Sequence, residues 1–276
     1  MEDIKMVEWF NDHWYKIELG ENEFKYIPSV TTKLGVVSKP FLAKWRGDIG
    51  NREADMRMFE AAERGSRIHR GYEIYCKGGL IIYNPVTRPN YTPEEMSKLL
   101  SENPINYICQ YQDEMWDLLK LSKFIELVKP KIIASEMTVC SLKDNDAGTM
   151  DSLFEIKEGN YPVNGSKPLF IPGGVYVADL KTGNVIDKNA YRQTAAYVNC
   201  VREMKISNPV GSLILHTGSK NKNGIEGFGV HVRIGDDLKN DYKSYRLAAS
   251  LWEEEHGDDS PRIFEFPSQI KKEVLI

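Results

Sequence analysis

The chain has 276 residues, 41% hydrophobic and 28% charged, with a formal net charge of −4 at pH 7. That apolar content suffices for one sizeable core with insertions, while the acidic balance argues against a protein that binds nucleic acid over its whole surface through clustered Lys and Arg. No apolar run is long enough to span a bilayer and Met1-Glu2-Asp3-Ile4-Lys5 lacks the regions of a signal peptide, so a cytoplasmic protein is expected, in the host cytoplasm if phage-encoded, with no membrane partner.

In chain order, residues 14–19 and 24–27 alternate apolar and polar side chains around Gly20-Glu21-Asn22-Glu23 and predict a hairpin. Ser29 is placed to cap a short helix, Pro40 opens another, and a longer helix covers much of 52–76. Within it, Glu60 to Glu73 puts His69 one turn beyond Gly65; the glycine lets a strand or ligand approach, and the imidazole is either a metal ligand or an ordinary helix residue. Basic residues outnumber acidic ones from Lys39 to Lys77, which suits a basic lining or a solvated helix face alike. Helical segments from Thr92-Pro93-Glu94-Glu95 and over about 106–128 are expected to wall a cleft.

Residues 135–140, 148–156 and 174–183 read as three strands, short and rich in β-branched and aromatic residues. As an antiparallel meander they bring Glu136, Asp151 and Asp179 to one end of a sheet. Alternation puts Asp179 and Lys181 on one face and Leu180 on the other. The turn-rich loop 159–168 interrupts them. Asp187 is a candidate cap for a helix over 187–198, where Gln193 and Tyr197 stand four residues apart on one face. Strands at 211–217 and 227–234 contain His216 and His231 without catalytic duty. A helix at 245–255 and a tail with Pro261 and Pro267 end the chain; residues 235–260 are strongly acidic.

Two aspartates and a lysine on neighbouring strands are the parts needed to hydrolyse a phosphodiester around a divalent metal. Mg²⁺ and Mn²⁺ take hard oxygen ligands, the metal polarises the phosphoryl group and acidifies a bound water, and an ammonium offsets growing charge. An isolated Asp-x-Lys string also reads as a half-exposed ion pair. The amide of Gln193 and phenol of Tyr197 are placed to reach a nucleic-acid backbone. Cys76, Cys109, Cys140 and Cys200 are scattered with no Cys-x-x-Cys spacing, so neither an iron-sulphur cluster nor zinc is expected, and no phosphate-cradling Gly-x-x-x-x-Gly-Lys string implies ATP.

The order of these pieces resembles the RecB-like branch of the PD-(D/E)XK nucleases, which includes phage and CRISPR-associated exonucleases and a mitochondrial genome-maintenance exonuclease. The matching residues are Pro28-Ser29-Val30-Thr31-Thr32 with Leu42-Ala43-Lys44-Trp45, Arg64-Gly65-Ser66-Arg67-Ile68-His69, Glu136, Gly148-Thr149-Met150-Asp151, Asp179-Leu180-Lys181-Thr182 and Gln193-Thr194-Ala195-Ala196-Tyr197. The resemblance implies His69, Asp151 and Asp179 as metal ligands with the Leu180 carbonyl beside them, Lys181 as catalytic lysine, and Gln193 and Tyr197 near the scissile strand. Glu136 matches an acidic position of the family and reads equally as a strand-end surface carboxylate. The implied fold is α/β, a restriction-endonuclease-like core with a mixed central sheet flanked by helices. It is expected as a single nuclease domain over 1–276: a hairpin and helical region (1–130) contributing His69, a catalytic core (131–234), and a C-terminal helix and tail (235–276). The implied function is Mg²⁺- or Mn²⁺-dependent DNA exonuclease, acting on a single strand or duplex end in recombination, repair or phage DNA processing, alongside a recombination or replication partner protein. The rivals are a structure-specific endonuclease and a non-catalytic nucleic-acid-binding subunit.

Overall fold

The computed structural model describes residues 4–10, 12–20, 23–164 and 167–261. Met1 to Asp3, the hairpin residues Glu21 and Asn22, Gly165 and Ser166 of the expected loop, and the tail from 262 with Pro267 lie outside the described residues. The first element is a three-stranded antiparallel sheet of β1 (Ile4–Trp9), β2 (Asp12–Gly20) and β3 (Glu23–Pro28). Its β2–β3 pair is the expected hairpin; β1 adds a strand that the sequence reading did not include. Ser29 caps α1 (Val30–Lys33) by accepting the Thr32 N–H at 2.9 Å, which satisfies an amide the helix itself leaves unpaired. Pro40 opens α2 (Pro40–Ile49), and Gly50, at φ +86°, turns the chain into α3 (Asn51–Cys76), a backbone state that glycine adopts at little cost.

Next come β4 (Leu80–Tyr83), α4 (Pro93–Glu102) with Thr92 and Glu95 in a capping box, β5 (Asn106–Cys109) and α5 (Gln112–Val128). The helix expected over 106–128 is therefore shorter. Asn106-Tyr107-Ile108-Cys109 finds a parallel ladder with β4, and pairing with a second strand overrides local helix preference.

The main sheet follows. Strand β6 (Lys131–Ser141) pairs with β7 (Asp146–Ile156); a small hairpin, β8 (Gly159–Tyr161) and β9 (Leu169–Ile171), occupies the expected loop; and β10 (Gly174–Lys181) returns along β7. Helix α6 (Lys188–Glu203) crosses over to β11 (Gly211–His216), then β12 (Gly229–Ile234) leads into α7 (Gly235–His256). The order is β12-β11-β10-β7-β6, with β10 and β11 parallel and the other pairs antiparallel. The protein is thus α/β, a mixed five-stranded sheet flanked by helices. Helix α7 contains the expected 245–255 and starts at Gly235, where φ +53° turns the chain and Asp236 and Asp237 suit the positive end of a helix. No helix among the described residues is long and apolar enough to cross a membrane.

Two apolar layers sandwich the sheet. On one side Ile68 and Tyr72 of α3 and Leu118, Leu121 and Phe124 of α5 pack on Phe154, Tyr176 and Leu180. On the other, Ala196, Tyr197 and Val201 of α6 and Tyr245 and Ala249 of α7 pack on Val139, Met150 and Val177. Outside these layers, α7 closes against α1 through a buried charge. Lys33 Nζ, with no solvent exposure, sits 2.8 Å from Asp146 and 2.6 Å from Glu253, and Tyr245 donates its hydroxyl to Asp146 at 2.6 Å. Removing one partner of such a pair strands the other charge. Asp146→Ala is expected to destabilise the fold by about 3–5 kcal/mol in urea unfolding, and Lys33→Met combined with Asp146→Leu by markedly less; equal losses would show that packing, not the stranded charge, sets the cost.

Candidate metal centre

The strand register assembles the acids. Ser152 lies opposite both Ala178 and Ser135, and Met150 opposite Met137, so the next step along each strand sets Asp179, Asp151 and Glu136 in a row across β10, β7 and β6. The expected meeting at a sheet end holds on β10, which stops two residues after Asp179; β6 and β7 run on past the row. Glu136 takes φ +50°, a left-handed state uncommon for a residue with a side chain and often found where a functional group is held in place.

Helix α3 lies over this row. His69 Nδ1 is 3.0 Å from Asp151 Oδ1, and the Leu180 N–H donates to Asp151 Oδ2 at 2.5 Å. Leu180 buries its side chain in the α3-side core while Lys181 reaches α6, as strand alternation requires. Lys181 Nζ is 2.6 Å from Asp179 Oδ2, an ion contact without well-aligned hydrogen-bond geometry, and it donates to Gln193 Oε1 at 3.1 Å. Gln193 Nε2 in turn donates to the Tyr197 hydroxyl at 3.1 Å. The residues Lys181, Gln193 and Tyr197 thus form one chain, in which the two α6 side chains orient the lysine.

Tyr197 owes its place to a glycine. A Cβ on Gly148 would lie 2.3–2.7 Å from the Tyr197 ring, closer than any real contact allows. Gly65 is different: a Cβ there would meet only Thr182 Oγ1 at 3.5 Å, so α3 approaches the end of β10 without needing the glycine.

Charges at the site are strongly coupled. Burial alone would lower the His69 pKa, but the Asp151 carboxylate outweighs it and moves the imidazole from 6.5 to about 9. Burial also works against the Asp151 carboxylate, yet His69 and Lys181 hold its pKa below the usual range. Burial raises Asp179, with Lys181 opposing, and burial with the Asp151 charge brings Glu136 to about 7. The Lys181 ammonium, penalised by burial, is held by Asp179 and Asp151 above its ordinary 10.5.

One nitrogen and two carboxylate oxygens, from His69, Glu136 and Asp151, lie within 4.8 Å of one another. Ligands at ~2.1 Å in neighbouring octahedral positions are ~3.0 Å apart, which is the spacing His69 and Asp151 already have. The donor set therefore fits a divalent cation. Glu136 joins this group, whereas Asp179 is engaged with Lys181. The site opens on a cleft of about 620 Å³ bordered by Gly65, Ser66, Arg70, Glu73 and Thr182 together with His69, Glu136, Leu180 and Lys181.

The basic stretch of 39–77 is mostly consumed by pairing. Arg64 binds Asp113 and Asp117, Arg67 binds Glu114, Arg70 and Lys77 share Glu73, Arg46 binds Asp55, and Lys39 meets Asp187. Arg64 and Arg67 among them fix α3 on α5. Arg70 alone of these Lys and Arg residues also borders the metal cleft. His216 and His231 lie on β11 and β12 as expected, and His216 Nε2 donates to the Gly183 carbonyl at 2.6 Å, holding the loop after Lys181. Neither Gly148 nor Thr182 stands out in the sequence, because Gly148 meets the Tyr197 ring from a strand 49 positions earlier in the chain, and only the packing of α6 on β7 reveals the need for a glycine. No family model matches the chain, and no curated protein resembles it significantly.

Two outcomes follow from this geometry. Gly148→Ala should cost about 1–3 kcal/mol in denaturant unfolding by displacing the Tyr197 ring, and an unchanged midpoint would mean that the ring has room to move. A basic group whose folded pKa is raised stabilises fully below its unfolded value and loses that contribution as pH rises through the folded one. In chelator, stability that His69 supplies should therefore fall between pH 6.5 and about 9. Urea unfolding of His69→Ala should show a shallower decline over that window; parallel curves would remove the His69–Asp151 ion pair from the account.

Proposed function

We propose that this protein is a metal-dependent deoxyribonuclease of the RecB-like PD-(D/E)XK type, acting as an exonuclease on a DNA end or single strand. The observation that carries the reading is the clustering of His69, Glu136 and Asp151 donor atoms within 4.8 Å, beside a lysine held by Asp179 and Gln193. The strand order and register that produce it support a restriction-endonuclease-like core. Exonuclease action and a role in recombination, repair or phage DNA processing rest on the motif resemblance, as does a cytoplasmic place of work beside a replication or recombination partner.

His69, Asp151 and Glu136 would hold Mg²⁺ or Mn²⁺, with Asp179 and the backbone of Leu180 alongside, and the ion would supply polarisation of the phosphoryl group and acidification of a bound water. Lys181 keeps its proton at neutral pH because two carboxylates favour the ammonium. It therefore acts as a fixed positive charge and hydrogen-bond donor toward a phosphate oxygen or the attacking water, and not as the base. Gln193 accepts from Lys181 with its carbonyl and so commits its NH₂ to Tyr197; the pair aims the ammonium. Asp151 holds the His69 ring through Nδ1 and the Leu180 amide holds Asp151, so both side chains are positioned in advance, and a metal taking Nδ1 and Oδ1 would displace the proton between them.

Lys181→Ala and Asp179→Asn are expected to lower cleavage of linear DNA by about 10²-fold or more while circular dichroism stays native and the unfolding midpoint falls, since each removes one partner of a largely buried ion pair. Chelator should abolish wild-type cleavage and Mn²⁺ restore it. Near-normal turnover of Lys181→Ala would remove the lysine from the site. Equal cutting of covalently closed circles would favour the endonuclease, and DNA binding with no cleavage under any metal would favour the non-catalytic subunit.

A further inference from the structure

Strands β10 and β11 run parallel and end side by side, and the crevice outside the carboxyl ends of parallel strands is where α/β sheets receive ligands. The two loops that leave them, Thr182-Gly183-Asn184 and Thr217-Gly218-Ser219, line a second cleft of about 480 Å³. It shares Ala61, Thr182 and Gly183 with the metal cleft, so the two are continuous. The loops touch backbone to backbone: a Cβ on Gly218 would sit 2.2 Å from the Gly183 oxygen. Their positions are set by the Thr217 N–H donating to the Lys181 carbonyl at 3.0 Å and by His216 on Gly183.

The chemistry of this second cleft differs from that of the first. Its one lining carboxylate, Asp117, is already taken by Arg64, which also binds Asp113, and by Lys120 Nζ at 2.8 Å, so the cleft offers two cationic side chains and no free carboxylate for a cation. Lys120 also donates to the Thr217 carbonyl at 3.0 Å. The exposed Asn184 side chain makes no hydrogen bond among the described residues. Just beneath the wall, the Thr217 hydroxyl is buried without a partner, a costly state that an incoming oxygen or water relieves. Cationic and amide donors, the lack of a free carboxylate and flat glycine backbone together select an oxyanion over a cation.

We infer that this cleft is a phosphate subsite, holding the backbone phosphate of the nucleic-acid strand next to the one positioned at the metal centre, with Lys120 and Asn184 as its principal contacts. The inference rests on the nuclease reading and extends it. The scissile phosphate lies against Lys181, the strand passes over Thr182 and Gly183, and the neighbouring phosphate meets Lys120.

The test uses the full chain and short single-stranded oligonucleotides, unmodified or carrying one neutral methylphosphonate at successive positions. Lys120→Gln, which keeps a donor for the Thr217 carbonyl, and the surface change Asn184→Ala should each raise KM roughly tenfold with kcat within about twofold, since a hydrogen bond to a charged group is lost. Lys120→Gln should also flatten the dependence of log Kd on log salt by about 0.7, as expected for one phosphate contact on a single strand. Neutralising one particular phosphate should weaken wild-type binding by a similar factor and leave Lys120→Gln indifferent. If both proteins respond alike at every position, or if neither variant changes KM while unmodified DNA is cut, the subsite is overturned and the nuclease reading stands. If inorganic phosphate competes at the cleft as well as the oligonucleotide does, the site serves a free anion and the strand assignment falls. Unmodified DNA neither cut nor bound would remove the nuclease reading, and the subsite with it.

Discussion

The Asp151 carboxylate is the joint between the two layers of the site. One oxygen faces His69 on α3 and the other accepts the Leu180 amide on β10, so a single buried side chain ties helix, central strand and neighbouring strand together. A carboxylate taken this far out of water survives ionised only because positive charge and an oriented N–H surround it. That requirement fixes the distance of α3 from the sheet. It also places Glu136 and Asp179 where they must share the surplus negative charge, with Lys181 and a cation as the natural counterweights.

The remainder of the fold keeps this joint in register. Helix α5 holds α3 down through Arg64 and Arg67, whose charges are spent on Asp113, Asp117 and Glu114 instead of on solvent. On the far side of the sheet, α6 is positioned by the fit of Tyr197 over Gly148 and brings Gln193 to Lys181. Helix α7 is anchored separately, through Asp146 at the start of β7 and Lys33 of α1. Asp146 and Asp151 belong to the same strand, so α7 and the candidate metal centre are referred to one rigid element. Ion pairs and shape complementarity thus do different work: the former set which helix faces which, the latter the height at which a side chain enters the cleft.

Much of this was legible in the sequence where local pattern and chemistry coincide. The strands bearing Asp151 and Asp179, the cap at Asp187, the opposite facing of Leu180 and Lys181, and the long helix with His69 all follow from periodicity and capping residues over short windows. The joining of Glu136 to His69 and Asp151 was open, because it depends on the β6–β7 register and on a left-handed backbone at Glu136 that a strand pattern does not advertise. Strand β5 was read as helix because its four residues gain their identity only from β4, some 25 positions earlier. The Lys33–Asp146–Glu253 cluster joins residues up to 220 apart in the chain, and no spacing rule reaches that far. The meaning of the basic stretch over 39–77 stayed open for a related reason: charge counted along a sequence does not reveal which charges will be neutralised across a helix interface.

The left-handed backbone at Glu136 bears on how this protein would respond to different kinds of selection. Glycine relieves such a conformation, and removing the carboxylate also relieves the crowding of negative charge beside Asp151. A library sorted only for thermal resistance would accordingly drift toward glycine at 136, while one sorted for metal-dependent work would hold on to glutamate against that gradient. On the metal-dependent reading proposed above, position 136 is a place where robustness and activity pull the sequence in opposite directions.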